Sequence, residues 1–239
     1  MVLFTLRFSR GSAARAVLGV ACLLSLAACS STGSSASSSS VTDLTGLFKL
    51  TPGVCGTSSA SGSYFRMVQP DGSLTSGPFV ANGDSTCVNK TWTTLSPGTQ
   101  GGLFTGQYQP QPQPPFGAGG NSAAARIIQP QSFFAVDFGV STNPIDPQTK
   151  AAVAAPHITD DAGRLTGNLS AFAVSWNGQF FNQGSPKPGG ATPAGTTPVQ
   201  GTYDQSTHAY TLTWSSRIVG GPFNNFVGTW HLQGTFQPS

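Results

Sequence analysis

The sequence predicts an all-β protein: a single antiparallel β-sandwich or jelly-roll-like domain with long Pro/Gly-rich loops. Three observations carry this expectation. Beyond residue 43 no ten-residue segment places apolar side chains at helical spacing, whereas alternation at period two recurs along the chain. Glycine (30) and proline (18) make up about a fifth of the 239 residues and break the chain too often for long helices. Hydrophobic residues are 38% of the total, enough for a packed core although only 8% are charged.

The elements follow in chain order. Residues 64–68 read as a strand ended by Pro70, Asp71 and Gly72, and Asn82, Gly83 and Asp84 form a second break. Residues 91–95 and 103–109 are further strands. Pro110, Pro112, Pro114 and Pro115, interleaved with Gln, favour an extended polyproline II segment that crosses the surface, because a central strand needs the N–H groups that proline lacks. Phe134, Val136, Phe138 and Val140 share one face of a strand whose other face holds Ala135 and Asp137. Phe172, Val174 and Trp176 point inward on the next. Asn177-Gly178 then predicts a type I′ hairpin into residues 179–181, since both of its central positions take positive φ. Residues 182–200, rich in Gly, Pro and Thr, read as a long mobile loop.

The C-terminal stretch is the most specific. Tyr210, Leu212 and Trp214 alternate with Thr211 and Thr213; Phe226, Trp230, Leu232 and Phe236 alternate with Val227, Thr229, His231, Gln233 and Thr235. Pairing the two antiparallel about residues 220–225 sets Trp214 opposite Trp230 and Leu212 opposite Leu232, because a slip of one residue would turn one apolar face outward. His231 then lies on the face away from the indoles, while His208 shares their parity.

Ahead of this body, Arg7, Arg10 and Arg15 precede an apolar run over residues 16–28 broken only by Gly19 and Ser25. The pattern is that of a secretory signal, too short to span a bilayer as a mature helix. It ends in Leu26, Ala27, Ala28 and Cys29, which resembles the lipobox of bacterial lipoprotein precursors. The resemblance implies a signal peptide over residues 1–28 and a diacylglyceryl thioether, with palmitate-like acyl chains, on Cys29. An acylated, Ser-rich flexible tether would follow over residues 29–43, and the β domain over 44–239. Several acyl chains, at about 0.8 kcal/mol per buried methylene, give stable attachment to a bilayer. The absence of an arginine pair in this segment suits Sec export, and Ser30 and Ser31 permit sorting to an outer membrane where the cell has one. Residues 62–72 and 218–233 also resemble segments of uncharacterised exported bacterial proteins, which implies location and architecture alone.

With Cys22 lost with the signal and Cys29 acylated, Cys55 and Cys87 remain to form a disulfide in an oxidising exterior. Closing that loop of about 33 residues is worth roughly 3–4 kcal/mol in the chain-entropy model. A catalytic thiol or a metal pair lacks a nearby His or a C-x-x-C companion.

All eight acidic residues are Asp, which excludes the H-E-x-x-H helix and the EF-hand loop. Loss of the three signal Arg leaves eight basic residues against eight acidic ones, so no basic patch remains for nucleic acid. Asp71, Asp84, Asp146 and Asp204 sit in turn contexts where the side chain caps the backbone. His157, Asp160 and Asp161 form the densest ionisable cluster, either a divalent-cation loop, half of a hydrolytic site, or a polar loop; the D-x-D-x-D-G pattern is missing. Asp137 is either a solvent-side residue or a buried acid partnered by Arg126, and no second carboxylate is nominated beside it for a glycosidase. No catalytic residue, metal or cofactor is therefore assigned, and a hydrolase ranks below a binding module. A polar, nearly uncharged surface suits neutral polysaccharide or other cell-wall glycan, with Phe116, Phe181 and Phe223 as candidate ligand-binding aromatics. Trp92, Trp176, Trp214 and Trp230 fall in strand contexts and read as core. The expectation is a lipid-anchored cell-envelope protein with a structural or binding role. Its partners are a bilayer through Cys29 and, as candidates, cell-wall glycan or an envelope protein.

Overall fold

The computed structural model describes residues 40–239. The predicted signal peptide, Cys29 and most of the Ser-rich tether lie outside the described residues. In chain order the strands are β1 (Thr42–Asp43), β2 (Gly46–Leu50), β3 (Val54–Cys55), β4 (Ala60–Ser61), β5 (Tyr64–Ser73), β6 (Gly77–Phe79), β7 (Thr93–Thr94) and β8 (Gly102–Phe104). They continue with β9 (Gln131–Phe133), β10 (Val136–Thr142), β11 (His157–Asp161), β12 (Arg164–Asn168), β13 (Phe172–Trp176) and β14 (Gln179–Asn182). The last three are β15 (Thr197–Tyr203), β16 (Ala209–Arg217) and β17 (Val227–Pro238).

The chain is all-β, as its alternation predicts, and its antiparallel sheets curl into a half-barrel. The large sheet runs β1-β11-β12-β15-β16-β17-β2-β8, with β5 also on β17 and with β6 and β7 on β5. Strand β17 is long enough to serve two neighbours on one edge: Val227 to His231 pair with β5, and Gly234 to Pro238 pair with β2. The smaller sheet runs β14-β13-β10-β9. Its apolar face meets the large sheet through aromatic rings, Phe172 lying 5.1 Å from Trp214 and 5.0 Å from Trp230, and Phe138 lying 5.7 Å from Phe65.

The hairpin register is the expected one, with Trp214 opposite Trp230 and Leu212 opposite Leu232. The two indoles stack 6.0 Å apart at 12°. Asn177 (φ 49°) and Gly178 (φ 69°) form the two-residue turn between Trp176 and Gln179. The Cys55–Cys87 disulfide is present, with Cα atoms 5.2 Å apart.

Five local expectations need correction. The strand expected to end at Pro70, Asp71 and Gly72 runs on through them to Ser73 as β5, with an irregularity in its pairing to β6 between Val68 and Ser73. Phe134 and Ala135 are a turn, not strand, with φ of 52° and 60°; Phe133 pairs with Val136 across them. The positive φ is held from outside, because Asp84 Oδ2 accepts the Ala135 N–H at 2.6 Å. The segment over residues 182–200 is not a free surface loop, since Asn182, Gln183, Ser185 and Lys187 are buried. Its carbonyls accept hydrogen bonds from the inward side of β16, from Trp214 Nε1 to Gln183 (2.8 Å) and from Ser216 Oγ to Gly184 (2.8 Å). The strand expected over 103–109 stops at Phe104, where Gln109 folds back to donate to Gly102 O and to accept from the Phe104 N–H. Finally, Thr42 and Asp43, placed in the tether, already pair with β11.

Candidate binding face

Outward-facing residues of an antiparallel sheet fall into rows across the strands, and the register of the large sheet defines one long row. Thr159 pairs with Thr166, Thr166 with Gln200, Gln200 with Thr213, Thr213 with His231, His231 with Tyr64, and Tyr64 with Thr94. None of these seven side chains is buried. At about 4.8 Å between strands the row spans on the order of 29 Å. It is built almost wholly of hydroxyl and amide groups, and Thr159 and Thr166 hydrogen-bond to each other at 2.9 Å. The neighbouring row carries Ser215, Thr229 and Arg66.

The two rows end in an aromatic cluster. His231 stacks on Tyr64 with ring centroids 4.7 Å apart at 15°, and Tyr64 meets Trp92 edge-on at 4.7 Å. The guanidinium of Arg66 lies between two rings, 3.2 Å from the centroid of Phe79 and 4.0 Å from that of Trp92. Tyr64, Arg66, Trp92, Gln200, Thr213, Thr229 and His231 line a groove of about 260 Å³. A second depression, of about 440 Å³, continues along the same face past Thr202, Thr211, Gln233 and Thr235.

Trp92 is half-exposed and not part of the core, because the strand context expected for it begins only at Thr93. A loop with little regular structure holds it in place. The disulfide ties Cys87 to the β3–β4 hairpin, whose Ser58 carbonyl accepts from Trp92 Nε1 at 3.2 Å. Ser85 Oγ donates to the Trp92 carbonyl, and Lys90 Nζ donates to Ser85 O at 2.6 Å. The predicted disulfide thus supports a site residue that local sequence assigns to the core.

Burial sets the charge of the cluster. Desolvation lowers the pKa of His231, so its ring is neutral at pH 7, and it raises the pKa of the Tyr64 phenol. Desolvation also lowers the pKa of Arg66, but a guanidinium remains a cation. The cluster therefore presents flat rings, neutral hydrogen-bonding groups and one positive charge, that of Arg66.

The residues singled out from sequence are dispersed. Phe181 is buried opposite Val174 on the inner face, and Phe223 reaches down to within 5.4 Å of Trp176. Both line an apolar cavity of about 40 Å³ between the sheets, too small for a sugar ring. Phe116 packs on Phe180 at 5.1 Å, elsewhere. The three do not form a common exposed platform. The strand pleat divides the His157 cluster: Asp160 is buried and accepts from Gly163 N and Gln205 Nε2, whereas His157 Nε2 lies 3.0 Å from Asp43. Asp137 is half-exposed opposite Ser132, and no ion pair joins it to the exposed Arg126 among the described residues. Asp146 and Asp204 cap turns as expected, accepting from the backbone N–H of Thr149 and of Ser206.

The chain matches no protein-family model, and no curated protein or solved structure shows significant similarity to it.

Proposed function

We propose that this is a lipid-anchored protein of the cell envelope whose β domain binds a glycan chain along the outer face of its large sheet. The observation that carries the reading is the Tyr64, Trp92 and His231 ring cluster at the end of a row of Thr and Gln side chains. Apolar faces of sugar rings stack on aromatic side chains, while hydroxyl and amide groups satisfy the sugar hydroxyls. The linear, nearly uncharged row fits an extended polymer better than a compact ligand. The lipobox supplies the location: acylated Cys29 and its Ser-rich tether would present this face to envelope polysaccharide.

Two measurements test the two halves. In a pull-down of the full chain in detergent with peptidoglycan sacculi, chitin and neutral galactan, Trp92→Ala and Tyr64→Ala are each expected to weaken retention by about tenfold, from a lost stacking contact of about 1–1.5 kcal/mol. Retention by both variants equal to that of the wild type would remove the face from the function. For the anchor, detergent-phase partitioning of the chain made in a lipoprotein-processing host should be lost in Cys29→Ala, with a matching loss of acyl mass. Equal aqueous partitioning of both forms would sink that half.

A further inference from the structure

We infer that the face has an anion subsite at Arg66, so that the glycan it prefers carries a carboxylate, as in a uronic acid or a sugar with a carboxylated substituent. The inference rests on the glycan reading and adds the chemical class of the ligand. Arg66 projects from β5 onto the outer face, where Thr229 is its cross-strand neighbour. The guanidinium carbon lies over the rings of Phe79 and Trp92, and with Nε buried the terminal Nη1 and Nη2 groups are the donors left for a ligand. The guanidinium is poorly used within the protein. Nη2 reaches only Thr91 Oγ1, at the limiting distance of 3.5 Å, and Nε is a buried nitrogen without an acceptor. Arg66 forms no ion pair among the described residues, where the only pair is His157 with Asp43. By contrast, the other two cations that are not fully exposed do find acceptors: Arg217 donates to Asn225 Oδ1 and to Ala194 O, and Lys187 donates to Asn182 O.

A guanidinium packed against two rings is partly desolvated and restricted in its rotation, so an incoming carboxylate meets a preorganised Nη1 and Nη2 pair. The remainder of the groove, with Tyr64, His231, Thr213 and Gln200, is neutral and holds the sugar rings on either side. Arg66 is the single cation lining this groove, which selects for spaced carboxylates rather than for dense polyanions, since those need a run of basic residues.

The test uses polygalacturonate, alginate and hyaluronan, each paired with its carboxyl-reduced neutral counterpart, and the full chain in detergent. The wild type is expected to bind at least one acidic polymer about tenfold more tightly than its reduced form, the effect of one charge-assisted hydrogen-bonded contact, and to lose that advantage as salt is raised. Arg66→Gln should abolish the difference between the acidic polymer and its reduced form, whereas Trp92→Ala should weaken binding of both. Arg66→Lys, which keeps the charge but not the planar fork, should retain only part of the preference, and equal melting temperatures show that the variants are folded. Equal binding of acidic and reduced polymers by the wild type overturns the anion subsite and leaves the glycan reading intact. An acidic preference that survives in Arg66→Gln also overturns it. Binding of none of the six polymers overturns the anion subsite, and it overturns the glycan reading too where sacculi, chitin and galactan are also not retained.

Discussion

Replacing Trp230 with alanine is expected to lower the free energy of unfolding by about 3–5 kcal/mol, a large part of the 5–15 kcal/mol of an ordinary domain. The indole is 2% exposed and stands where the two sheets meet. It touches Phe65 at 4.6 Å within the large sheet, Phe172 at 5.0 Å and Phe138 at 6.4 Å in the small sheet, and Trp214 at 6.0 Å beside it. Its Nε1 donates to Gln183 Oε1 at 3.3 Å, so truncation also strands a buried amide oxygen. Trp230→Phe keeps most of the ring contact and should cost less than half as much. Urea unfolding followed by circular dichroism measures both, and a loss below about 1 kcal/mol for the alanine variant would show that the sheets do not depend on this contact. Trp214 shares the stack, so Trp214→Ala and the double variant should be non-additive.

That contact was legible in the sequence because it needs only one hairpin. Once Tyr210, Leu212 and Trp214 alternate against Trp230, Leu232 and Phe236, burying both apolar faces leaves a single register. The Asn177-Gly178 turn was legible for a similarly local reason, the backbone angles that those two residues tolerate. The proposed binding face was not. His231 and Tyr64 are distant in the chain, and they become neighbours only because the long β17 takes β5 along its first half and β2 along its second. The parity of His231 could be read from sequence, but not the strand beside it. Trp92 was misplaced because its neighbours Thr93 and Thr94 do form a strand, while a disulfide-tethered loop turns the indole outward. The Phe134–Ala135 turn contains no glycine or asparagine, and its support comes from Asp84, an acceptor far away in sequence. Each miss is a case in which a tertiary contact overrode a local preference.

Stability should rise, not fall, as the pH is raised from about 8 to about 9.5, because Lys187 is buried as a cation. Its Nζ donates to the carbonyl of Asn182 at 2.6 Å, and Asn182 Nδ2 in turn donates to Asp146 Oδ2 at 2.7 Å. Burial lowers the ammonium pKa from 10.5 to about 8, and the nearby Asp146 carboxylate opposes that shift only in part. Below pH 8 the amine is protonated in both states, and the folded protein bears the full cost of desolvating it. Between pH 8 and 10.5 the unfolded chain holds the proton more tightly than the folded one, so each step upward in pH favours the folded state. The gain is on the order of 2 kcal/mol by about pH 9.5. At higher pH the phenols of Tyr64, Tyr203 and Tyr210 act the other way, since burial holds each of them protonated in the folded protein beyond its ordinary range. In Lys187→Met this rise should vanish. Asp146→Asn should lower the pKa of Lys187 further and start the rise at lower pH, because it removes the one charge that favours the ammonium. Denaturant unfolding at pH 7.5, 8.5 and 9.5 decides the matter. A wild-type stability that stays flat or falls over that range, or an equal slope in Lys187→Met, would mean that the ammonium is hydrated and that the segment after β14 is looser than its hydrogen bonds to β16 imply.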